Sequence, residues 1–180
     1  MLGKTHRLGG ICTGVVLSSF YFQDFSKENL MYFGVFMGGC ILGSLIPDID
    51  HKGSTISNSN IITKGLSRIV GLFGHRGITH APLLYLLLTL IPLVCFRDFN
   101  SLFQMLGYLG CMGCIMGAFS HLFLDFLTKG GIPLFFPFTK KKYHLLPLKT
   151  GSCDIFVSII LISITVLFFV KKILYLMEVI

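Results

Sequence analysis

Three short clusters in this chain carry residue types that could do chemistry. They are Asp48 and Asp50 in Pro47-Asp48-Ile49-Asp50-His51, His75 and His80 in His75-Arg76-Gly77-Ile78-Thr79-His80, and His121 and Asp125 in His121-Leu122-Phe123-Leu124-Asp125. Imidazole and carboxylate together are ligands for zinc, manganese or iron. His121 and Asp125 are four apart in a helical pattern, so one helix face carries both. They suit one metal, a bridge between two, or a ligand with its hydrogen-bonded support; a bare helix-to-helix link is the alternative. Asp48 and Asp50 follow a proline that ends the preceding helix. In an extended segment they point the same way and repel unless a cation lies between them. As caps or solvated loop charges they need no metal, and His51 points away.

His75 and His80 are five apart, so a bend is needed to bring them together, and Gly77 permits one. His75 is a candidate ligand or general acid/base. Arg76 has the planar fork that binds phosphate or carboxylate, or it anchors a cytoplasmic loop. His6, ahead of the first apolar run, is a further candidate ligand or an exposed terminal residue. His144 and Asp154 are weaker candidates for supporting or substrate-binding roles.

These clusters must be positioned by apolar elements. The chain is 53% hydrophobic and only 13% charged over 180 residues, against roughly 25% charged in soluble domains. That composition defines an all-α, polytopic membrane helix bundle forming one integral domain over 1–180. Five apolar runs stand out: Leu8–Phe22, Leu30–Ile46, Ala81–Phe96, Leu102–Leu127 and Ile155–Val170. A crossing helix needs ~20 residues, so the first, third and fifth must borrow flanking residues. The basic start before Leu8 resembles a signal peptide without a clear cleavage site and is read as part of a retained span. Gly53–Asn60 reads as a loop and Ile61–Phe73 as an interfacial amphipathic helix. Leu134–Phe138 is too short to cross and reads as a re-entrant or interfacial segment. Lys140–Lys142 then face anionic headgroups or an anionic substrate.

Every polar cluster lies at the end of an apolar run. The N-terminus and the loops 47–80 and 128–154 hold Lys4, Arg7, Lys52, Lys64, Arg68, Arg76, Lys129, Lys140, Lys141, Lys142 and Lys149, against four basic residues on the other side. The positive-inside rule puts that basic side, with all three clusters and His6, in the cytoplasm and the C-terminus outside. The net charge of +7 therefore calls for no nucleic-acid partner, as no dense basic stripe is interleaved with aromatics. Gly34, Gly38, Gly39 and Gly43 in the second run, and Gly107, Gly110, Gly113 and Gly117 in the fourth, allow close helix approach. Such a contact would join Asp48/Asp50 to His121/Asp125. Five of the six cysteines fall in or beside apolar runs and read as buried free thiols, and the Cys111/Cys114 spacing inside a span reads as small-residue packing.

The combination of Gly43-Ser44-Leu45-Ile46-Pro47-Asp48-Ile49-Asp50-His51, His75-Arg76-Gly77-Ile78-Thr79-His80 and His121-Leu122-Phe123-Leu124-Asp125-Phe126-Leu127-Thr128 with Gly130-Gly131-Ile132-Pro133 resembles the YdjM-like family of predicted membrane-bound, metal-dependent hydrolases of the inner membrane. The likeness runs from His6 to Gly151. It implies metal-ligand or catalytic roles for Asp48, Asp50, His75, His80, His121 and Asp125.

The sequence thus leads to a cytoplasmic-membrane hydrolase using one or two divalent ions, zinc, manganese or iron. Asp48, Asp50, His80, His121 and Asp125, with His6, are the expected ligands; His75 and Arg76 are the expected catalytic groups. A position at a membrane face points to a lipid or lipid-linked substrate, with a phosphoester matching the basic residues. The rivals are an ion or metal transporter and a non-catalytic membrane scaffold.

Overall fold

The computed structural model describes residues 1–22, 24, 26–51, 61–70, 76–96 and 101–177. Seven α-helices are formed by these residues: α1 Gly3–Tyr21, α2 Lys27–Gly43, α3 Ile61–Val70, α4 Pro82–Leu88, α5 Leu90–Cys95, α6 Leu102–Phe126 and α7 Asp154–Leu176. Two single 3-10 turns, Pro47–Asp50 and Ile78–His80, carry the first two polar clusters. The described residues contain no strand, only isolated bridges between Thr128 and Leu148 and between Ile132 and Tyr143.

Three stretches are long and apolar enough to cross a membrane: Lys27–Asp50, Leu102–Phe126 and Asp154–Tyr175. The other two expected spans do not qualify alone. The apolar stretch Pro82–Cys95 is interrupted at Thr89. Pro92 supplies no amide donor to the ladder, which explains the break. At 1.5 Å per residue, so short a stretch falls well below the ~30 Å hydrocarbon thickness. Helix α1 has 19 residues but begins with Lys4, His6 and Arg7. It starts five residues before the expected run, so His6 lies within the helix rather than ahead of it. The reason lies far along the chain: Asp154 accepts the Leu2 amide, a donor the helix start leaves over, at 2.8 Å, and the Thr5 hydroxyl at 2.7 Å.

The most extensive helix contact is between α2 and α6. A Cβ on Gly39 would meet the Gly110 carbonyl at 2.5 Å, and one on Gly43 or Gly117 would strike the backbone of Cys114 or Cys40. Hydrogen side chains are thus what lets these backbones touch. Gly34 and Gly38 face open space, so only part of the expected glycine ridge makes this contact. Helix α1 packs on α2, α6 and α7. Helix α7 leaves Ile155, Phe156, Ile159 and Leu167 exposed, a surface suited to lipid. A core of Tyr85, Ile115, Ala118, Leu122 and Ile132 ties α4 and the segment after α6 to that helix.

In the expected amphipathic region, α3 covers Ile61–Val70 and buries Ser67 while exposing Lys64, Arg68 and Ile69. Residues 53–60 and 71–73 lie outside the described residues. Leu134–Phe138, the segment expected to be re-entrant or interfacial, forms irregular turns.

Candidate metal centre

Helices α1 and α6 and the two 3-10 turns deliver their polar side chains to one point. Asp125, on the last turn of α6, is its hub. Its Oδ1 lies 2.6 Å from the Met1 α-amino nitrogen and 3.4 Å from His6 Nε2. Its Oδ2 lies 2.9 Å from Arg76 Nη2, 3.5 Å from His80 Nε2 and 3.8 Å from His121 Nε2. His121 Nε2 is also 3.7 Å from Asp48 Oδ1. His6, His80, His121 and Asp125 are all at most 1% exposed. Asp48 is the more open member, with 21% of its side chain accessible.

The tautomer of His121 follows from its neighbour. Its Nδ1 sits 2.7 Å from the Ser44 carbonyl oxygen, which can only accept. Nδ1 therefore carries the hydrogen, and in the neutral ring Nε2 presents a lone pair. That buried Nε2 has no hydrogen-bond partner, and neither have the ring nitrogens of His6. A lone pair held in a buried site against two carboxylates is costly unless a cation lies among them. Tetrahedral ligands at ~2.0–2.1 Å from a zinc ion stand about 3.3 Å apart. The spacings between 3.4 and 3.8 Å here are too long for good hydrogen bonds and near that ligand spacing. His6, Asp48 and His121 form one group able to hold an ion, and His80, His121 and Asp125 another; within each, the ligand atoms lie within 4.8 Å of one another. Both groups use His121, whose Nδ1 is committed to Ser44.

The two aspartates of the first cluster separate. The extended geometry expected of them is replaced by a 3-10 turn, which Pro47 starts from its N1 or N2 position. At three residues per turn, positions two apart no longer share a face. Asp48 turns toward His121. Asp50 lies behind His80: its Oδ2 is 3.2 Å from His80 Nδ1 and accepts from Thr79 Oγ1 at 2.7 Å and the Arg76 amide at 2.9 Å. That is the position of a carboxylate that orients a metal-binding histidine. Asp50 belongs to neither candidate group.

Arg76 points inward. Besides Asp125, its guanidinium meets the Gly131 carbonyl at 3.2 Å and Thr128 Oγ1 at 3.5 Å, and its side chain is 13% exposed. Its φ of +59° is left-handed, a conformation that non-glycine residues adopt at a cost and that clusters at functional sites. The bend expected at Gly77 thus begins one residue earlier. His75 lies outside the described residues. His51 and His144 are exposed, and Asp154 holds the start of α1 instead of entering the cluster.

Sequence reasoning missed the Ser44 carbonyl, Thr79 and Thr128, and underrated Asp154. A backbone carbonyl leaves no trace in residue type. Asp154 had one: it is the first acid after the acid-free stretch 126–153 and begins a helix.

The fold and site together define a membrane helix bundle with a buried histidine–aspartate cluster at one end of its spans. The family model described as YdjM inner membrane protein matches residues 1–179, and the chain belongs to the YdjM family. It is 36% identical to YvsG of Bacillus subtilis over 155 residues, 84% of this chain and 83% of that protein. It is likewise 36% identical over 103 residues to the inner membrane protein YdjM of Escherichia coli, covering 54% of this chain and 46% of that one. No solved structure matches.

Proposed function

We propose that this protein is a metal-dependent hydrolase acting at the cytoplasmic face of the membrane on a lipid or lipid-linked substrate, with a phosphoester the leading candidate bond. The observation that carries the reading is His121: a fully buried imidazole whose Nδ1 is fixed by Ser44 and whose partnerless Nε2 faces Asp48 and Asp125.

His121, His80, His6, Asp125 and Asp48 would hold a single divalent ion, zinc, manganese or iron by donor chemistry. One ion is favoured over two because both candidate groups converge on the one remaining nitrogen of His121. Such an ion would supply Lewis-acid polarisation of the scissile group and would acidify a water near neutral pH. Asp50 sets the His80 ring, and Thr79 and the Arg76 amide set Asp50. The Arg76 guanidinium neutralises Asp125 and stands where it could meet a substrate anion after a side-chain shift. Asp48 supplies the accessible edge of the cluster. The acid–base role of His75 rests on sequence alone.

The cytoplasmic orientation rests on the basic residues gathered on the cluster's side of the chain. A transporter is disfavoured because the ligands on α6 occupy its last turns, not mid-span. The test is turnover of phosphoester and acyl-ester lipids by protein in nanodiscs, metal-loaded and chelated. Metal-dependent release of product supports the reading. A loaded, folded protein inert toward both classes contradicts it.

A further inference from the structure

Between α6 and α7 the chain runs from Thr128 to Cys153 without an acidic residue and with Lys129, Lys140, Lys141, Lys142 and Lys149. It is irregular yet well tied. Ile132 and Tyr143 exchange backbone hydrogen bonds at 2.9 Å, and the Leu145 amide donates to Phe126 at 2.8 Å. Ile132 is buried with Tyr85, Ala118 and Leu122. Phe135 meets the Tyr143 ring edge-on at 5.4 Å, and Lys141 lies over that ring at 5.5 Å.

The outer surface of this anchored segment is unusual. Phe138 is 89% exposed, Phe135 57% and Leu145 60%, with Leu146 beside them and Lys140–Lys142 exposed among them. Single exposed apolar residues are ordinary; several large ones in one lysine-rich loop mark an interaction surface. The connections fix its level. It leaves the end of one crossing helix, returns to the start of another, and bonds Leu145 to the last residue of α6, so it lies at the membrane–water boundary.

We propose that residues 134–146 form an interfacial wedge in the same bilayer. Phe135, Phe138, Leu145 and Leu146 enter the acyl region, and Lys140–Lys142 engage the phosphates of anionic phospholipids. Aromatic rings and lysines suit those two depths, and the segment itself carries no acidic residue. The proposal does not depend on the metal reading, although the segment also supplies Gly131 and Thr128 to Arg76.

The chain contains no tryptophan, so Phe138→Trp installs a single reporter at a surface position. The full-length variant is reconstituted into phosphatidylcholine vesicles, with or without phosphatidylglycerol, bearing brominated acyl chains. Blue-shifted emission that loses most of its intensity to the brominated chains is expected, with greater loss when phosphatidylglycerol is present. Adding Lys140→Gln, Lys141→Gln and Lys142→Gln should remove that phosphatidylglycerol-dependent increment. Water-like emission untouched by brominated chains would overturn the wedge. Quenching indifferent to phosphatidylglycerol and to the lysine substitutions would overturn the anionic-lipid assignment.

Discussion

His6 and His121 stack face to face, with ring centroids 3.5 Å apart and planes 11° from parallel. The residues come from α1 and α6, so the stack joins the start of the chain to the cluster's central histidine. Both rings turn Nε2 toward Asp125, at 3.4 Å from His6 and 3.8 Å from His121. His6→Ala is expected to weaken metal binding by more than the roughly 10–100-fold typical of losing a supporting group. Competition with a chromophoric chelator measures this directly; unchanged affinity would remove His6 from the ligand set.

Asp50 should behave differently from the ligands. It reaches the cluster only through His80, so Asp50→Asn is expected to lower metal affinity about 10–100-fold while leaving the site fillable at high metal concentration. Complete loss of binding in a folded variant would make Asp50 a direct ligand.

Protonation of His80 gives a signed pH dependence. Burial disfavours its charge, but the neighbouring Asp125 and Asp50 carboxylates outweigh that and raise its pKa above the usual imidazole value of 6.5. In the metal-free protein this contributes stability that is fully present below pH 6.5 and is lost as pH rises through the elevated value. A metal requires the neutral ring, so affinity is expected to fall as pH drops through the same range. Chelator competition from pH 6.5 up to well above it, across the elevated His80 value, checks it. Affinity that rises on acidification would contradict the assignment.

The contact between α2 and α6 predicts a packing effect with a chemical consequence. A side chain at Gly43 would strike the Cys114 backbone. Gly43→Val is expected to cost about 1–3 kcal/mol and to separate Asp48 from His121. Thermal unfolding in detergent and metal content should decline together. Full metal occupancy in a destabilised variant would uncouple the helix contact from the site.

Much of this was legible in the sequence because the bilayer imposes simple rules. Length and apolarity marked the helices α2, α6 and α7, and the glycines of two runs indicated which helices would touch. The His121/Asp125 spacing placed both on one helix face. What escaped was set by tertiary contact or local backbone geometry. The 3-10 turn at Pro47 sends Asp48 and Asp50 in different directions, and Asp154 extends α1 to include His6 across more than a hundred residues. Arg76 turns inward because Asp125 lies within its reach, which no spacing rule conveys.

A single metal ion held at His121 is open to elemental mass spectrometry of the detergent-purified wild type and of His121→Ala, each after reloading with zinc, manganese or iron. One ion per folded wild-type chain, absent from a folded His121→Ala, is the expected result. A folded wild type that remains metal-free after reloading would rule out the metal site and leave the cluster as a structural link between helix ends.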